Sequence, residues 1–391
     1  MKGVSHHKFN HPFHTIFKLL KYEVTAVVLL LFYLVMISNS CYAQTSPAWY
    51  RYDDPKTELA GYKDSHGVVK ISPRFGGLTN APVFKNVIAV TDQRSNTSYY
   101  LLKNGKMVGK DSLYVYDMTF DCEQEGKIRF RDPITDKTGF FNAEGKIAIP
   151  AIFNDAKAFH NGLSLVLYNG KRVCPDGSTF DKQNPCEHWA WDGITALIDV
   201  NGNILADSLD YGMFQNINWN SMQISEQPAD TTLRISVRSK DNRYLTFVNY
   251  EKEFGVWFNN QYLANVANRL KASSFDVVCV EGLDNNRLRK FYSRKEFNST
   301  YGTVLRKKLQ RITTKNTQII PDELNYMIYT QKLFKKYLTD CGDANVAEYP
   351  LFDVVLSYLK PNGEFKYQEY FSFLRSTSGY KLIGVAWKDR R

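Results

Sequence analysis

Gly139-Phe140-Phe141-Asn142-Ala143-Glu144-Gly145-Lys146-Ile147-Ala148-Ile149-Pro150 opens with a phrase that the 391-residue chain states four times. Gly61-Tyr62-Lys63-Asp64-Ser65-His66-Gly67 and Tyr100-Leu101-Leu102-Lys103-Asn104-Gly105 precede it, and Ala196-Leu197-Ile198-Asp199-Val200-Asn201-Gly202 follows. Each copy carries a large apolar residue five before its glycine: Tyr62, Tyr100, Phe140 and Leu197. A polar residue then Gly between apolar runs is a hairpin signal, because the turn needs a positive φ that glycine adopts without strain. Short alternating runs follow the turn and are expected to stop at Pro73 or Pro150. Self-similarity near forty residues predicts a tandem array of one β unit, with Gly67, Gly105, Gly145 and Gly202 at its turns. Such arrays present surface for binding.

The glycines lie 38, 40 and 57 residues apart, so the last interval holds an insertion, roughly residues 173–192. It contains Cys174 and Cys186, separated by Pro175-Asp176-Gly177 and Asn184-Pro185. A disulfide between them would clip a loop with no repeat partner and contribute about 2–3 kcal/mol. With His188 they lack the second close Cys or His pair that a metal site needs, so no metal is expected. Trp189 and Trp191 in the same stretch offer a binding platform for sugar or peptide, or pack the loop around the disulfide.

The third copy continues through Phe153, Ala156, Phe159, Gly162-Leu163, Val166 and Gly170-Lys171. This pattern resembles the WG containing repeat family over residues 58–222. The first copy departs from it with Val68 where Lys is usual, the second with Met107-Val108-Gly109-Lys110 in place of the Ile-Pro step, and no copy has the Trp-Gly pair. The resemblance implies a β-rich array on an exported or surface-associated bacterial protein, with no catalytic residues to carry over. Four units could stack as a solenoid of hairpins or close into a small propeller, and the irregular end copies, like caps, favour the open stack.

Residues 1–43 read as an export signal: Lys2, Lys8, Lys18 and Lys21, then the apolar run Thr25–Ile37, then small residues before cleavage between Ala43 and Gln44. Thirteen apolar residues fall short of the roughly 20 that span a bilayer. Lipidation at Cys41 and an uncleaved anchor are the alternatives. Cleavage leaves Cys122, Cys174, Cys186, Cys279 and Cys341, an odd set in which Cys279, inside Val277-Val278-Cys279-Val280, reads as a buried thiol rather than a partner of Cys341.

The repeat ends near residue 222, and Ser225–Thr232 has linker composition. Residues 226–391 hold 27 Lys and Arg against 18 Asp and Glu, whereas residues 44–225 hold 19 against 21. This basic part, residues 223–391, reads as a smaller α+β domain. It has a hairpin at 233–248 and helices at 253–270, 295–310 and 323–338. Closing strands at 352–359, 366–374 and 380–387 resemble the meander of a nuclear-transport-factor-like cone. A cone would draw Asp353, Tyr358, Tyr367, Glu369 and Tyr370 toward a pocket, half of them pointing away by strand alternation. Arg306-Lys307-Lys308, Arg311, Lys332 and Lys335-Lys336 suggest contact with an anionic surface.

No Walker loop, paired CxxC, HExxH or GxSxG is present. The chain therefore reads as an exported, non-catalytic binding or scaffold protein of the periplasm or cell surface. Its expected partner is a protein or envelope polymer, with no cofactor and no nucleic acid. The alternative is a small-molecule-binding, hydrolytic or isomerase module in residues 223–391 that the repeats target.

Overall fold

The four phrases fold as four copies of one hairpin. In the computed structural model, which describes residues 47–388 apart from 78, 80, 266–271 and 284–287, the turn glycines lie at φ of 84° (Gly67), 85° (Gly105), 69° (Gly145) and 86° (Gly202). Each glycine N–H donates to the carbonyl three residues back, and that residue's own N–H donates to the carbonyl just past the glycine. This is a type I turn closed by a left-handed residue. In three copies the residue three before the glycine is Asp64, Asn142 or Asp199. Its side chain accepts from the N–H groups two and four residues on, which locks the turn. The second copy has Leu102 there and uses Asn104 instead.

Tyr62, Tyr100, Phe140 and Leu197 occupy one setting: each is buried on the strand that enters the turn. Tyr62, Phe140 and Leu197 pair with Ile71, Ile149 and Ala206 and are followed by a bulge. Tyr100 pairs with Val108 in unbroken register, in the copy that lacks the Ile-Pro step. The outgoing strands do not stop at proline: Val69–Gly76 and Ile147–Phe153 run through Pro73 and Pro150. An earlier strand completes each copy: Trp49–Asp53, Val87–Asp92, Lys127–Arg131 and Ser164–Val173, all antiparallel to the hairpin.

Apolar side chains fill the space between consecutive copies. Tyr62 and Phe75 meet Ile88 and Leu101, Ala89 and Tyr100 meet Ile128 and Phe141, and Phe140 and Phe153 meet Val166 and Ile198. Such burial is the main favourable term holding the array. Glycine size matters at one repeated position. A Cβ on Gly139 would lie 2.6 Å from the Ile149 carbonyl oxygen and 2.7 Å from the Ala151 nitrogen, and one on Gly61 would lie 2.6 Å from the Ile71 oxygen. Backbone cannot step aside there. Gly139→Ala is expected to lower the urea unfolding free energy by about 1–3 kcal/mol. A loss no larger than that caused by the surface substitution Glu144→Ala would contradict this account of the repeat.

The insertion lengthens one hairpin. Ser164–Val173 and Ala190–Ile198 run on until Val173 faces Ala190, and the Cys174–Cys186 disulfide closes the loop at their tip. Cys122 and Cys341 form a second disulfide, a pairing the composition does not single out, and Cys279 is a buried thiol whose pKa burial pushes up to about 11.

Linker composition at 225–232 marks something other than a linker. Ile217–Ser225 is a strand that pairs with Tyr244–Asn249, which pairs in turn with Arg234–Arg238. The polar stretch is a connection within this three-stranded sheet. Ile217, Trp219, Ile235 and Phe247 pack on Leu165 and Leu197 of the fourth copy, so the apolar stack runs on past residue 222. Contacts keep Ala48–Arg391 as one compact unit.

A six-stranded sheet follows, in the order Arg289–Ser293, Ser274–Gly282, Gly379–Trp387, Phe365–Ser376, Leu351–Leu359, Thr317–Asp322. Its last three strands in the chain are the expected meander. The helix expected at 253–270 begins at Tyr250, capped by the Asn249 side chain, and becomes a π turn at Phe258–Tyr262, where Phe254, Phe258 and Tyr262 stack into the core. Arg294–Leu309 is the second helix, opened by a Ser293–Glu296 capping box. A third helix at 323–338 does not form. Asn325 turns its side chain onto the Met327 and Ile328 N–H groups, which competes with helix, and only a 3-10 segment at Lys332–Tyr337 remains.

The export signal, the Ala43–Gln44 cleavage site and Cys41 lie outside the described residues. Among the described residues no helix is long and apolar enough to cross a membrane. Two disulfides are consistent with an extracellular location.

Candidate functional site

Trp191 stands on the outgoing arm of the long hairpin and Trp189 immediately precedes that arm, their rings 5.3 Å apart and edge to face. Arg172 faces Trp191 across the pair. Its guanidinium lies 4.4 Å from the Trp189 ring centroid and 5.0 Å from that of Trp191, and it donates to Asp136 at 2.7 Å. The indoles are therefore braced by an arginine rather than forming a bare platform, although Trp189 remains 39% exposed. Stacking of this kind is worth about 0.5–2 kcal/mol.

Trp191 also lines a cavity of about 280 Å³ with Asp155, Lys157, Thr195 and Tyr211. Tyr114 donates to Asp155 at 2.7 Å. Lys157 extends the surface in two directions, its ammonium 5.4 Å from the ring centroids of both Tyr116 and Tyr211. Tyr211 belongs to the 3-10 turn Tyr211–Phe214, capped by Asp210. Tyr116 belongs to the two-stranded hairpin Val115–Tyr116, Thr119–Phe120. Tyr116, Met118, Tyr211 and Met213 are exposed beside them.

Sequence reading alone missed Tyr116, Met118, Lys157 and Tyr211. The hairpin turns through Asp117 (φ 45°) and Met118 (φ 60°), with no glycine to announce it. Aspartate tolerates such a conformation and is the one local hint. Methionine at positive φ is uncommon and costs on the order of 1 kcal/mol.

The expected pocket acids separate by strand alternation. Glu369, Tyr358 and Tyr367 share one face. Glu369 is fully buried and bonds Lys308 Nζ at 2.6 Å, the Tyr358 hydroxyl at 2.9 Å and the Lys388 N–H at 3.0 Å. Tyr358 and Tyr367 stack at 4.4 Å. Lys308 is thereby removed from the basic surface, while Arg306, Lys307 and Arg311 stay exposed. Tyr370 lies on the other face and bonds Gln368.

Asp353 also lies on that other face, and its Oδ1 has no hydrogen-bond partner. Burial pushes its carboxyl up to about 6, Ser372 pulls it back and Asp322 pushes it further up. A carboxyl whose folded pKa is raised binds its proton more tightly when folded. Its stabilising contribution is full below the unfolded value of 3.8 and is lost as pH rises through about 6. Asp353→Asn is expected to remove a fall of roughly 3 kcal/mol across that window in urea titrations at stepped pH. An unchanged slope would show that the carboxyl is solvated.

A slight likeness links the chain to an NTF2-like protein of unknown function from Cytophaga hutchinsonii, at 7% identity and a TM-score of 0.18, over 34% of this chain and 94% of that one. Hsv2 from Kluyveromyces lactis is 10% identical with a TM-score of 0.20, over 84% and 94%. A form of that protein with loop 6CD replaced by a Gly-Ser linker is 10% identical with a TM-score of 0.21, over 83% and 93%. None of these is close enough to carry an argument. No curated protein matches the chain. The family comparison falls on the best-kept copy, where Gly139 meets backbone, Asn142 and Gly145 make the turn, and Phe140, Ile149, Phe153, Ala156, Phe159 and Val166 make the core: residues 139–171 match the WG containing repeat.

Proposed function

We propose that this protein is an exported, non-catalytic scaffold of the bacterial cell envelope that holds a protein partner on the face made by Tyr116, Met118, Tyr211, Trp189 and Trp191. The observation that carries this reading is the strained turn at Asp117 and Met118, which keeps Tyr116 and Met118 exposed at a cost in stability. Strain retained at a surface points to use. The composition fits as well, since Tyr, Trp, Met and Arg are the residues enriched in protein interfaces. Glu369 supports the non-catalytic reading of the last sheet, because its carboxylate is spent on Lys308, Tyr358 and the Lys388 backbone. A propeller-like fan is the arrangement we favour for the copies. Ala81, Tyr114, Arg129 and His160, from successive copies and their connections, line one cavity of about 300 Å³ with Cys341 and Asn345.

Photo-crosslinking tests the face. A benzoylphenylalanine at position 118 is expected to give a discrete protein adduct in envelope fractions, and one at Ile134, which is 92% exposed on another turn, is not. Tyr116→Ala with Tyr211→Ala should abolish the adduct with the thermal midpoint unchanged. Met118→Gly should raise the urea unfolding free energy by about 1 kcal/mol. Equal adducts from both positions would refute the assignment.

A further inference from the structure

A second groove lies away from the aromatic face. A cavity of about 860 Å³ opens between the first two copies, lined by Trp49, Tyr99 and four cations: Lys70, Arg74, Lys103 and Lys110. Asp92 is the carboxylate in its lining. Composition does not produce this excess, because residues 44–225 carry more acid than base. Local structure does. Lys70 and Arg74 both lie on the strand Val69–Gly76 and both line the cavity. Asp64 holds Lys70 at 3.1 Å and Asp92 holds Arg74 at 3.4 Å, which positions both at the rim. Lys103 lies 5.3 Å from the Trp49 ring centroid, so a charge and an indole are presented together, and Phe84 fixes the indole edge to face at 5.4 Å. Lys110 is exposed. Hydroxyls of Ser72 and Thr97 complete the wall.

We propose that this groove binds an acidic polysaccharide of the uronate type. Spaced carboxylates along the polymer would face the four cations, sugar hydroxyls would meet Ser72 and Thr97, and the apolar edge of a ring would lie against Trp49. An indole with polar groups around it suits a ligand that is apolar in patches and hydroxylated at its rim. Nucleic acid would also meet cations and an indole. The two disulfides, consistent with an extracellular location, favour the glycan.

The test uses the full chain and three probes of equal length: oligogalacturonate, dextran and single-stranded DNA. Tryptophan fluorescence and calorimetry are expected to show oligogalacturonate binding that weakens steeply with salt, and no binding of dextran. Lys70→Gln with Lys110→Gln should weaken binding about tenfold. The pair is peripheral, so an unchanged thermal midpoint certifies the fold, and Lys110→Gln alone serves if Lys70→Gln unsettles its turn. Tyr116→Ala with Tyr211→Ala should leave glycan binding intact, which separates this site from the aromatic face. Equal binding of dextran, tighter binding of DNA, no binding of oligogalacturonate at low salt, or undiminished binding by the lysine variants would each overturn the proposal.

Discussion

Replacing Cys122 and Cys341 together by serine is expected to cost about 4–5 kcal/mol of unfolding free energy, against about 3 kcal/mol for the Cys174 and Cys186 pair. The two bonds differ in what they constrain. Cys174–Cys186 closes 12 residues, whereas Cys122–Cys341 spans 219. A longer closed loop removes more conformational freedom from the unfolded chain. The long bond also sits where other ties converge: Lys85 pairs with Asp340, and a Cβ on Gly342 would lie 3.1 Å from Pro82. Urea unfolding of the two double-serine variants measures the contrast. If the long bond proves no more costly to lose than the short one, the segment around Cys341 is held by packing alone.

A loss of about 3–5 kcal/mol is expected from either Glu369→Gln or Lys308→Met. Glu369 has no exposed surface and Lys308 little, and their 2.6 Å contact is reinforced by the Tyr358 hydroxyl and the Lys388 N–H. Removing one partner leaves the other charged and desolvated among aromatic neighbours, with the Trp387 ring centroid 5.5 Å from the ammonium. Combining the substitutions should recover part of the loss, because no lone charge is then buried. Urea midpoints of the two single variants and the double variant form the cycle. Strictly additive losses would show that the pair is solvated.

Much of the array was legible because its signals are local. Asp64, Asn142 and Asp199 make their turns with N–H groups two and four residues away, so a short window of sequence contains the whole cause. The closing meander was legible for the same reason. Its turns lie at Gly363 and Gly379, both at positive φ, between aromatic and β-branched runs. Ser225–Thr232 reads as a linker because Pro228 and its polar neighbours look alike in a linker and in a connection between strands. Only the packing of Trp219 and Phe247 on Leu197 separates the two. At the candidate face the insertion drew notice to Trp189 and Trp191, but the hairpin at Tyr116 carries no glycine and gave no comparable signal.

Sequence by itself determined the hairpin, its four turns and the short disulfide, since each is closed by groups within about a dozen residues of one another. Tertiary structure decided the partner of Cys122, the neutralisation of Glu369 by Lys308, and the meeting of Tyr116, Lys157 and Tyr211. Those contacts join residues 41 to 219 positions apart, and which of the many possible long-range pairs forms depends on how the sheets stack, a property that no single stretch of the chain encodes.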